Sequence, residues 1–144
     1  MKILNFILCE DIIRDAESDR ISLINITEQL VSIAYPFLLP KIGIFMFLEK
    51  ENQEVTVSGE ILIKNNDNTL AKNSLILSFS EKDKARVMIK FNGIAIPEPG
   101  NLTVDVLLNG ETRSSVSIPV FQKTLQEVTE VLKSRGTDFK ASSK

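Results

Sequence analysis

Residues 86–120 read Arg-Val-Met-Ile-Lys-Phe-Asn-Gly-Ile-Ala-Ile-Pro-Glu-Pro-Gly-Asn-Leu-Thr-Val-Asp-Val-Leu-Leu-Asn-Gly-Glu-Thr-Arg-Ser-Ser-Val-Ser-Ile-Pro-Val. These are three apolar, β-branched runs whose breaks fall at Gly and Pro. β-branched residues suit a pleated surface, and Gly and Pro punctuate strands, so the segment predicts consecutive antiparallel strands. Runs of the same kind recur at 3–9, 20–31, 42–48, 55–63, 70–79, 86–96, 102–108 and 112–120. Turn-forming clusters such as Asn65-Asn66-Asp67-Asn68 and Pro97-Glu98-Pro99-Gly100 separate them. About eight short strands at this spacing predict an all-β, two-sheet antiparallel β-sandwich, immunoglobulin-like or similar. Val55, Val57, Ile61 and Ile63 alternate toward one face, and the doubly apolar run 42–48 fits a strand covered on both sides.

Two breaks of phase sharpen the expectation. Val87, Ile89 and Phe91 hold odd parity while Ile94 and Ile96 are even, so one residue has to be absorbed at Asn92-Gly93. A β-bulge with Gly93 in a left-handed conformation would do this. At Asn109-Gly110, a two-residue turn would set Val106 opposite Arg113 and Val104 opposite Ser115. A three-residue loop, Leu108-Asn109-Gly110, instead sets Leu102 opposite Val116 and keeps the apolar face intact, so the longer loop is expected.

The pattern changes at Thr124. Thr124-Leu-Gln-Glu127 is a capping box, Leu125, Val128 and Leu132 fall on one helical face, and Gly136 offers a stop. The predicted organisation is therefore a sandwich over 1–123, an amphipathic helix over 124–136 packed on it, and a polar, disordered tail over 137–144.

Composition restricts the chemistry. The chain of 144 residues has 43% apolar and 25% charged residues, which fits one globular domain. Seventeen basic and nineteen acidic residues give a net charge of −2, with no basic face to attract nucleic acid or an anionic membrane. Lys82, Lys84 and Arg86 alternate with Glu81 and Asp83, a solvated turn. Histidine is absent, which removes the commonest general base and metal ligand. Cys9 is the one cysteine, so no internal disulfide forms. The apolar run from Ile3 to Cys9 is too short for a membrane span and is followed by no cleavage site. A cytoplasmic location is expected.

No residue set amounts to a catalytic, cofactor or metal site. Asp15, Glu17 and Asp19 alternate like the first half of a calcium loop, but Arg20 stands where the sharp-turn Gly belongs and Ile26 where the bidentate Glu belongs. The stretch from Glu10 to Arg20 is expected to be a charged hairpin tip between the first two strands. Glu10 and Asp11 are adjacent on a strand and point to opposite faces, so they do not form a catalytic pair. One of them is expected to pair with Arg14 or to accept hydrogen bonds at the strand end. Cys9 ends an apolar strand without a base to deprotonate it, and reads as a core residue. The eight Phe and Tyr35 fall mostly at core parity, leaving no aromatic platform for RNA.

Ile7-Leu-Cys-Glu-Asp-Ile-Ile-Arg14, then Ile21-Ser-Leu-Ile24, then Tyr35-Pro-Phe-Leu-Leu-Pro40, resemble a group of short bacterial proteins of unknown function. Those open on a Cys-Asp-Asp-Val-Arg-like motif and close on a segment similar to Pro97–Val120. Glu10 replaces an Asp there, and Asn25-Ile26 stands in place of Gly-Tyr. The resemblance covers residues 1 to about 122, implies a bacterial β-sandwich and transfers no functional residue. Residues 86–120 also resemble the last strands of an immunoglobulin-like domain, without the buried Trp and paired cysteines of antibody domains. The expected function is a non-catalytic interaction or accessory domain, with another protein or a second copy as partner. The alternatives are a small-ligand or carbohydrate-binding module with an aromatic-lined pocket, and an enzyme that works without His.

Overall fold

A computed structural model describes residues 1–51, 53, 56–79, 82–127, 129–130 and 132–134. Nine strands follow in order: β1 Lys2–Arg14, β2 Ile21–Ile26, β3 Leu30–Ser32, β4 Phe37–Glu49, β5 Thr56–Asn65, β6 Asn68–Ser78, β7 Lys84–Ile96, β8 Gly100–Leu108 and β9 Glu111–Gln122. They form a four-stranded sheet, β2-β1-β4-β7, and a five-stranded sheet, β3-β9-β8-β5-β6. Neighbouring strands are antiparallel except β3 and β9, which run parallel.

The core lies between the sheets. β8 shows its origin most plainly, since Leu102, Val104, Val106 and Leu108 are buried while the residues between them are not. From β5 come Val57, Ile61 and Ile63, and from β4 Ile42, Ile44, Met46 and Leu48. Each such side chain contributes roughly 1.5–3 kcal/mol of burial, which is what holds the sheets together. Val55, expected on the same face of β5, lies outside the described residues.

The sandwich is as expected, with one strand more. The run 20–31 is not one strand: Asn25 takes a left-handed backbone (φ 50°), and the chain leaves β1 after Ile26. Leu30–Ser32 then joins the other sheet beside β9. Tyr35 ties the following segment to that sheet, its hydroxyl donating to the Phe121 carbonyl at 2.6 Å.

Both phase breaks are real, and both are solved differently from the sequence expectation. Gly93 is left-handed (φ 70°), yet no bulge follows it. Leu39 pairs with Ile94 and Lys41 with Asn92, so the β4–β7 register is continuous through Pro40 and Gly93. β4 changes parity at the same place, from Leu39 to Ile42, and the two strands turn over together. At the other break, Leu108 pairs with Glu111 across a two-residue Asn109-Gly110 turn (φ 52° and 82°). That is the primed turn matching strand twist, and it replaces the expected three-residue loop. The extra residue is taken up in β9, between the pairs Leu107–Thr112 and Val106–Ser114, so Leu102 faces Ile118 and not Val116.

Helical residues occupy 125–127, 129–130 and 132–134. The capping box forms as expected: Thr124 N–H donates to Glu127 Oε2 at 2.8 Å, and Glu127 N–H to Thr124 Oγ1 at 3.2 Å. The stripe does not pack as expected, because Leu125 is 68% and Leu132 62% exposed. β9 stays paired with β3 to its last residue, Gln122, and the helical residues begin at 125. Val128, Gly136 and the expected disordered tail lie outside the described residues. No helix among the described residues is long and apolar enough to cross a membrane.

Candidate functional site

β1 pairs with β4 only as far as Cys9, and its distal half continues with β2 alone. That hairpin crosses the outer face of the four-stranded sheet and is fastened to it at three points. Asp11 reaches Lys90 at 3.0 Å and Lys41 at 3.5 Å. Ile12 covers Gly43, where a Cβ would sit 2.9 Å from Cys9 Sγ and 3.1 Å from Ile12 Cγ1. Asp19, at the tip, accepts from Arg14 Nε at 2.6 Å and from Arg86 Nη2 on β7 at 2.6 Å.

These contacts explain the charges that drew attention in the sequence. Lys90 above all, then the Ile12 N–H, hold the Asp11 carboxyl below its ordinary value. Arg14 and Arg86 do the same for Asp19, and the Ser18 hydroxyl with the Glu17 N–H for Asp15. Asp15 closes the turn and Asp19 bridges two arginines, so the alternating acids do not converge as a calcium loop would require. Asp11 pairs with the two lysines and not with Arg14, while Glu10 accepts from Asn25 Nδ2 at 2.7 Å. Cys9 is fully buried against Gly43, whose carbonyl its thiol meets at 3.6 Å. Burial first, then the Asp11 charge, pushes its pKa up, so the thiol stays protonated and poorly nucleophilic.

Where β2 gives way to β3, the hairpin leaves a cleft of about 400 Å³. Its floor is Leu30, Leu39, Pro40 and Ile42; its rim holds Glu10, Asn25, Thr27, Glu28, Gln29 and Lys41. It lies beside the joint turn-over of β4 and β7 at Pro40 and Gly93. The walls carry no aromatic ring, unlike the pocket that the alternative small-ligand reading called for. Residues from three separate stretches, Glu10, 25–30 and 39–42, meet here, and the one local signal was the phase break at Gly93.

β2 forms the adjoining edge of its sheet. The Arg20 carbonyl accepts from Asp15 N–H on the β1 side, so strand alternation turns the backbone groups of Ile21 and Leu23 to the open side. Ile24 and Ile26 are 37% and 59% exposed, and Ile26 also lines the cleft. The other edges are blunted: β6 carries Lys72, β7 carries Lys84, Arg86 and Lys90, and β3 has three residues. β2, Ile-Ser-Leu-Ile-Asn-Ile, has no charge at all.

No curated protein matches the chain. Residues 4–121, the span from early β1 to late β9, match the Family of unknown function (DUF6941), and the chain belongs to that family.

Proposed function

We propose that the protein is a non-catalytic interaction domain of the bacterial cytoplasm that receives an extended segment of a partner protein along β2. The observation that carries this reading is the uncharged, open edge of β2, with Ile24 and Ile26 exposed beside it, on a sandwich whose other long edges carry lysine or arginine. Strand addition at such an edge takes its affinity from main-chain hydrogen bonds and its specificity from neighbouring side-chain pockets. The ionisable groups support a binding role and not a catalytic one: Asp11, Asp15, Asp19 and Asp105 are engaged in pairs and turns. Asp105, for instance, is held between the Ser115 hydroxyl and Lys64 on the outside of the five-stranded sheet. The order β9-β8-β5-β6 opposite β4-β7 also supports an immunoglobulin-like reading, in which β4 and β7 take the places of strands B and E, and β5, β8 and β9 those of C, F and G.

The cleft favours a second reading, a small-ligand module, since its volume lies within the usual range for such sites. One comparison separates the two. Affinity capture from a source lysate with wild-type protein and with Ile26→Lys should yield one protein near stoichiometry with the first and lose it with the second. Capture unchanged by the lysine would exclude β2 as the surface.

A further inference from the structure

Asn25 and Ile26, the last residues of β2, line the cleft, so its chemistry bears on what the partner carries; this step rests on the strand-addition reading above. We propose that the partner segment presents an arginine or lysine side chain to the cleft, its stem on the apolar floor and its cation between Glu10 and Glu28. Leu30 and Ile42 in that floor are buried, which suits the hydrocarbon stem of a long basic side chain. Glu10 is already positioned, one carboxylate oxygen accepting from Asn25 Nδ2 at 2.7 Å and the other left for a ligand. Glu28 makes no ion pair among the described residues. Lys41 is the one cation in the walls, and Asp11 draws its ammonium away at 3.5 Å. A basic group would meet two carboxylates there, whereas an anionic group would be repelled by both. An aromatic group would find no ring to stack on.

The test is a titration of ¹⁵N-labelled protein, followed by amide shifts, with the peptide Ac-Val-Arg-Val-NH₂, its Glu counterpart, and spermidine. The arginine peptide should shift residues 25–30 and 39–42, more weakly as salt rises. Glu10→Gln keeps an acceptor for Asn25, so the fold is retained; with Glu28→Gln, which removes the second carboxylate, it should weaken the peptide by at least about tenfold. Equal shifts from the glutamate peptide, or none from the arginine peptide, would overturn the proposal. Spermidine acting as strongly as the peptide would replace the partner side chain with a free polyamine. If the captured partner is lost with Ile26→Lys but indifferent to Glu10→Gln/Glu28→Gln, strand addition stands and the basic anchor falls.

Discussion

Asn65 is fully buried, the one polar residue in the described core. Its side chain donates to the carbonyls of Glu98 and Asn101, at 3.0 and 3.2 Å, and accepts from Glu98 N–H at 3.1 Å. Asn66 completes the grip on the β7–β8 loop, donating to the Pro99 carbonyl at 3.1 Å and accepting from Asn101 N–H at 2.9 Å. Asn65→Ala removes three bonds and strands buried backbone groups, so it should lower stability by about 2–4 kcal/mol in denaturant titrations. Gly100 fits only as glycine: its φ is 135°, and a Cβ would overlap Asn66 Oδ1. Gly93 also has positive φ but open space around it. Gly93→Ala should therefore cost about 1–2 kcal/mol for the backbone alone, and Gly100→Ala clearly more; the reverse order would contradict the loop geometry. The sequence showed Asn65-Asn66-Asp67-Asn68 as a turn, since turn chemistry is local. It could not show the lock, which depends on β5 lying beside β8.

At the scale of elements, most strands were legible because the period-two pattern is set by burial of one face. The breaks were legible too, but not their resolution. Gly93 alone implies a bulge; that Pro40 lies opposite it, letting β4 turn over in step, is a fact of pairing. Likewise the slip at Asn109-Gly110 could be taken up in the loop or in the strand, and local turn energetics favoured the strand. The helix start was readable from Thr124 and Glu127, because capping is local, whereas its packing depends on tertiary neighbours that spacing alone does not supply. With Leu125 and Leu132 exposed, Leu125→Asp and Leu132→Asp should each change unfolding free energy by less than about 0.5 kcal/mol. A loss of 1–3 kcal/mol would mean that the stripe is buried after all. Ile26→Lys should be equally mild, which makes it a clean probe of binding.

For the molecule as a whole, pH acts through paired carboxylates, those of Asp11, Asp15 and Asp19 in the hairpin and two outside it. Asp11, Asp15, Asp19 and Asp105 titrate below their ordinary 3.8, and Glu51, paired with the N-terminal amine, below 4.5. In the unfolded chain they take up protons first, so this stability is present above those values and is lost as pH falls through the lowered ones. Acid unfolding should therefore shift to higher pH in Asp19→Asn, which loses the bridge between Arg14 and Arg86; an unchanged acid midpoint would contradict it. Cys9 works in the opposite direction: its raised pKa gives stability that is present below 9.0 and declines at higher pH, as the unfolded thiol ionises first.

The candidate site was the least legible part. β2 and β3 read as one strand, and the cleft exists because they separate. The measurement that tests the central claim most directly is hydrogen–deuterium exchange of the protein with and without its captured partner. Ile21 and Leu23 N–H, which face the open side of β2, should gain protection together with the cleft at 25–30. Protection confined to β6, β7 or the helical residues, with β2 unchanged, would contradict strand addition at this edge.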